Sequence, residues 1–172
     1  MKNWLLAPVK YARAAIKNIA IYGVTITAFL LPAVSVHADS GGARVPLLPK
    51  YSQECSACHV AYPAGFLPAA SWQRVMEGLG KHYGTDASLD EASMREISGW
   101  LKANAGTYKR VSEEPPENRI TKAAWFLRKH REGEVPANVW KRASVGSPAN
   151  CAACHTNADK GNFNEHEVRI PK

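Results

Sequence analysis

Alternating apolar and polar stretches, the mark of sheet strands, are short and few in this 172-residue sequence, which speaks against a sheet-based architecture. No glycine-rich phosphate loop, Ser-His-Asp arrangement or paired-carboxylate motif stands out, so the usual signals of catalysis are missing. Methionine is scarce: three residues in all, and Met1 is one of them, which leaves Met76 and Met94. Cysteine is nearly as scarce. Its four residues all fall in two copies of one motif, Cys55-Ser56-Ala57-Cys58-His59 and Cys151-Ala152-Ala153-Cys154-His155.

Each copy reads as a site of covalent haem attachment. Two thiols three positions apart add to the two vinyl groups of one haem, and the imidazole of the next residue reaches the iron from the same turn. The same C-x-x-C spacing also serves zinc ribbons and thioredoxin-like redox pairs. A four-cysteine zinc site has no use for either histidine, and a redox pair wants a βαβ context that this sequence lacks. The expected cofactors are therefore two covalently bound haems c.

The first 38 residues carry no Asp or Glu. Lys2, Lys10, Arg13 and Lys17 precede an uncharged apolar stretch from Ile19 to Val36, and Val36-His37-Ala38 places small residues where a signal peptidase reads. The expectation is a signal peptide over residues 1–38, cut after Ala38, and a protein exported to the periplasm. An uncleaved anchor is the alternative, since Ile19 to Val36 is barely long enough to span a bilayer. Membrane contact is otherwise expected only through a partner.

The leader also accounts for most of the basic character. Four of the 22 Lys and Arg residues lie in it, leaving 18 against 15 Asp and Glu. Four haem propionates would bring the holoprotein to a net charge of about −1. Nucleic-acid binding thus loses its main support. Arg128, Lys129 and Arg131 read as a solvated helix face, or as part of a docking surface for an acidic partner.

Helical periodicity organises the rest. Ser71 is placed to cap a helix through Trp72, Val75, Met76 and Leu79 that runs on to His82 and Tyr83. Ser88 and Glu91 form a capping box before Met94, Ile97 and Leu101, with an end near Asn104 and Gly106. A third helix begins at Thr121, puts Ala123, Phe126, Leu127 and His130 on one face and stops at Gly133. Pro136 opens a short fourth around Val139 and Trp140. Ala61 to Pro68 is expected to run irregularly beside a haem edge, and Glu113 to Glu117 reads as a linker. The predicted fold is all-α: mainly short helices and long loops wrapped around two covalently attached haems in two small lobes. The first lobe is 39–112, the linker 113–118 and the second lobe 119–172. Trp72, Trp125 and Trp140 are expected to pack on the porphyrins.

The sixth ligand of each iron decides between a closed electron carrier and an open catalytic or gas-binding haem. His82 continues an apolar stripe and His130 sits one turn after Phe126, so both are awkward core histidines that an iron would satisfy. His166, among Asn164, Glu165 and Glu167, is expected to be exposed. Met76 and Met94 lie on core stripes, and Met76 is the alternative ligand. The reading is bis-His at both haems: His59 with His82 and His155 with His130, with crossed pairing open. The competing function is a haem redox enzyme or gas-binding sensor with one open iron.

Beyond the haem motifs, several segments resemble the small bacterial dihaem cytochrome c family. In the first half these are Cys55 through Ala61-Tyr62-Pro63, Leu67-Pro68-Ala69, Ser71-Trp72, His82-Tyr83-Gly84 and Asp86 to Asp90. In the second half they are Arg119-Ile120-Thr121, Trp125-Phe126, His130, Val135-Pro136 to Trp140, Asn150 to His155 and Val168-Arg169-Ile170-Pro171. The resemblance implies two covalent, bis-His, low-spin haems and outer-sphere electron transfer without catalysis. It also implies redox partners: a small monohaem cytochrome c that binds oxygen, or a membrane b-type cytochrome.

Overall fold

Four short α-helices, separated by three-residue 3-10 turns and long irregular stretches, make up the computed structural model, which describes residues 45–107, 111 and 113–172. They lie within one unit, Asp39–Lys172. The leader and the cut after Ala38 fall outside the described residues. Among the described residues there is no strand, only an isolated bridge between His82 and Thr85, and no helix is long and apolar enough to cross a membrane. The all-α expectation holds.

Helix α1 (Pro49–Cys55) begins with Pro49 in its first turn, where a missing N–H costs nothing. It buries Tyr51, whose hydroxyl donates to the Tyr62 carbonyl at 2.9 Å. This helix was not expected. At seven residues it has too few turns to show a periodic stripe.

Helix α2 (Ala69–Glu77) starts two residues before Ser71, with Pro68 rather than Ser71 at its N-cap. Ser71 is fully buried inside the helix. The helix also stops earlier than its apolar pattern suggests. Gly78 closes it, a 3-10 turn over Leu79–Lys81 follows, and His82 lies beyond that turn. Glycines at 78 and 80 lower the helical preference there while Leu79 keeps the apolar spacing.

Helix α3 (Glu91–Asn104) is the longest, and Asp90 caps it instead of Ser88. The Asp90 carboxylate accepts the N–H groups of Ala92 and Ser93, both at 3.0 Å, and the Ser93 hydroxyl at 2.6 Å. Ile97 and Leu101 face inward as their spacing predicts, each contributing about 1.5–3 kcal/mol by burial. With Leu67, Trp72, Met76 and Leu79 they form the main apolar core, between α1, α2 and α3.

The chain then passes through Glu113 to Asn118, of which Pro116–Asn118 lies against α2. Glu114 pairs with Arg74, and the Pro115 ring is buried. Helix α4 (Ala124–Lys129) begins three residues later than Thr121, after a 3-10 turn over Ile120–Lys122. It buries Phe126, but Leu127 is 58% exposed and does not share that face. Beyond α4 the described chain has only three-residue 3-10 turns, at Val139–Lys141, Cys151–Ala153, Ala158–Lys160 and Glu165–Glu167.

Candidate haem sites

Each Cys-x-x-Cys-His motif faces one further imidazole. In the first site the rings of His59 and His82 have centroids 6.2 Å apart and planes 25° apart. In the second, His130 and His155 stand 6.3 Å apart with planes at 65°. A metal–imidazole bond of about 2.0 Å puts two rings that share one ion about 6.3 Å apart, centre to centre. Both pairs have that spacing, so the histidines present fit a haem iron between them.

Different local structures present the four rings. His59 follows the turn at the end of α1, and its Nδ1 lies 2.7 Å from the Val60 carbonyl. A carbonyl oxygen only accepts, so Nδ1 carries the proton and Nε2 keeps its lone pair for a metal. His82 sits at the entry of a tight turn in which Tyr83 and Gly84 have φ of 51° and 103°, and the Thr85 N–H returns to the His82 carbonyl at 3.1 Å. Glycine adopts this left-handed geometry freely, whereas Tyr83 needs outside support. That support is visible: the Tyr83 hydroxyl donates to the carbonyls of Glu117 and Asn118, each at 3.1 Å, and Arg119 lies 4.1 Å over its ring.

His130 ends α4. Its Nδ1 donates to the Phe126 carbonyl at 3.0 Å, and its ring stacks on Phe126 at 4.0 Å. His155 follows the 3-10 turn of the second motif, and its Nδ1 is buried without a hydrogen-bond partner among the described residues. Burial lowers the pKa of His82, His130 and His155; the nearby charges of His59 and His130 add to this for His82 and His155 respectively. All three shifts favour the neutral imidazole that a metal requires.

The cysteines are not disulfide-bonded. Burial pushes the Cys55 and Cys151 thiols up to about 11. Among the described residues no three His, Cys, Asp or Glu side chains gather as a metal cluster, so the two motifs do not converge as a zinc ribbon would. These half-buried thiols suit the neutral thioethers of covalent haem.

The other candidates lie apart. His166 is exposed and its N–H is held by Asn164. Met76 is buried in the core, with Met94 packed against it. Trp72 and Trp125 donate to the carbonyls of Ala64 (2.6 Å) and Phe66 (3.1 Å), and the Trp140 ring lies 6.1 Å from His130. Arg128, Lys129 and Arg131 are exposed; Lys129 pairs with Glu165 and Arg131 with Glu134. Sequence reasoning missed the rings beside the histidines. Tyr62 stacks on His59 at 4.8 Å and 18°, and Phe163 lies 5.2 Å from His155.

Two such motifs, each facing a second imidazole on described residues that form no sheet, define a c-type cytochrome with two haems. Comparison with known proteins agrees. A family profile described as dihaem cytochrome c matches residues 51–163. A dihaem cytochrome, DHC, purified from Rhodobacter sphaeroides is 47% identical, with 69% of this chain and 99% of that one covered and a TM-score of 0.60. A second dihaem cytochrome c structure from that organism is 45% identical, covering 70% and 100% with a TM-score of 0.62. The dihaem c-type cytochrome of Shewanella baltica OS155 is 37% identical, covering 74% and 95% with a TM-score of 0.62. No curated protein matches the chain.

The chain belongs to the dihaem cytochrome c family. It carries two covalently bound haems c and acts in electron transfer rather than as an enzyme.

Proposed function

We propose that both irons are closed by histidine, His59 with His82 and His155 with His130, making this protein a low-spin, outer-sphere electron carrier of the periplasm. The observation that carries this reading is the equal spacing of the two imidazole pairs, 6.2 and 6.3 Å. The haem supplies the one-electron couple. Cys55, Cys58, Cys151 and Cys154 tether it, and the carbonyls of Val60 and Phe126 hold His59 and His130 in the tautomer that leaves Nε2 free. Bis-imidazole ligation sets lower potentials than a His/Met pair.

Export follows from the basic, acid-free start and its apolar stretch. The redox partners are a small monohaem cytochrome c or a membrane b-type cytochrome, and neither nucleic acid nor direct membrane contact is involved once the leader is removed. In this reading residues 39–112 and 119–172 each serve one haem, joined by 113–118.

Carbon monoxide binding to the reduced protein tests the closed irons. The wild type is expected to bind none rapidly at neutral pH, whereas His82→Ala and His130→Ala should each open one iron and take up one equivalent. Rapid stoichiometric binding by the wild type would mean an open iron at that haem.

A further inference from the structure

Tyr62 touches both haem sites. Its ring stacks on His59 with planes 18° apart, and the His59 plane in turn lies 25° from that of His82. Its hydroxyl donates to the Ala149 carbonyl at 3.1 Å, 87 residues away. That carbonyl also accepts the Cys151 N–H at 3.0 Å, at the entry of the second motif. The Tyr62 carbonyl takes the Tyr51 hydroxyl from α1, which fixes the backbone beneath the ring.

We propose that Tyr62 is a positioning residue that sets the plane of the His59 imidazole with its ring and anchors the second haem motif with its hydroxyl. The inference rests on the assignment of His59 and His82 as ligands of one iron. Position 62 would therefore fix how the two haem sites sit against each other. The two functions sit on different atoms of one side chain, which makes them separable. Tyr62→Phe keeps the ring and loses the donor; Tyr62→Leu loses both.

The test uses the holoprotein with both haems attached, read by low-temperature electron paramagnetic resonance and by amide hydrogen exchange. The low-spin signal lost in His82→Ala marks the first site. In Tyr62→Leu that signal should broaden or shift toward larger anisotropy as His59 turns away from His82, and in Tyr62→Phe it should stay in place. Both variants should exchange the Asn150 and Cys151 amides about fivefold faster, the factor that one hydrogen bond's net contribution implies. An unmoved first signal in Tyr62→Leu, or wild-type exchange in Tyr62→Phe, overturns the proposal. A wild type lacking a low-spin signal that depends on His82 would instead overturn the ligation and with it the stated role of the ring, leaving the exchange arm to decide the anchoring role.

Discussion

The first and second haem halves hold their imidazoles by opposite means. The first half has helices of 7, 9 and 14 residues and a connected apolar core. After Asn118 the only α-helix is the six-residue α4, followed by short 3-10 turns. Buried residues there, such as Phe126, Val139, Val145 and Ala158, lie outside the main core cluster. The anchoring of the histidines is likewise reversed. In the first site the motif histidine is hydrogen-bonded through Nδ1, and in the second it is the facing His130. A haem in the first half would therefore adjoin an existing core, whereas one in the second would meet a smaller set of buried residues.

Removing the tethers should break this comparison with the largest effect. Cys151→Ala combined with Cys154→Ala is expected to lose one haem by mass and to lose exchange protection through most of residues 119–172. The matching Cys55→Ala and Cys58→Ala pair should also lose one haem but keep protection in α2 and α3. Equal loss of protection in both variants would erase the distinction between the halves.

Gly106→Ala addresses the boundary between them. A Cβ at Gly106 would lie 2.7 Å from the Gly65 carbonyl and 2.5 Å from Val111 Cγ1, so backbone has to move. The neighbouring Phe66 touches both Trp125 and Phe163. Overpacking of this kind costs about 1–3 kcal/mol. Denaturant unfolding should show that loss; an unchanged midpoint would mean that the 65–67 loop accommodates a methyl group.

A smaller effect belongs to the cap of α3. Hydrogen bonds from Ser93 hold the Asp90 carboxyl below its ordinary pKa. A folded-state pKa below the unfolded one stabilises above the unfolded pKa and is lost as pH falls through the folded value. Asp90→Asn, which retains an accepting oxygen, should flatten that acid dependence and change neutral stability little. An acid dependence identical to wild type would place the effect elsewhere.

Much of this was legible from residue spacing. The haem motifs, the inward face of α3 and the irregular run from Ala61 to Pro68 follow from local chemistry. His82 and His130 stood out because imidazoles on apolar stripes need partners. The turn that presents His82 was hidden, since Leu79 and His82 keep a helical spacing across two glycines that end the helix. Leu127 misled because a six-residue helix has a narrow buried face, which Phe126 occupies. The rings of Tyr62 and Phe163 beside the motif histidines answer to tertiary contacts, and the bond from Tyr62 to Ala149 spans 87 residues, so no periodicity reports them.

The ring planes offer the most direct test of the bis-His account. Near-parallel imidazoles at 25° should give the first oxidised iron a rhombic low-spin signal, and crossed imidazoles at 65° should give the second a more anisotropic one. Low-temperature electron paramagnetic resonance on the oxidised wild type should therefore show two unlike low-spin signals. His82→Ala should remove the rhombic signal and His130→Ala the anisotropic one. A variant that keeps both signals, or a wild type with a stoichiometric high-spin iron, would contradict it.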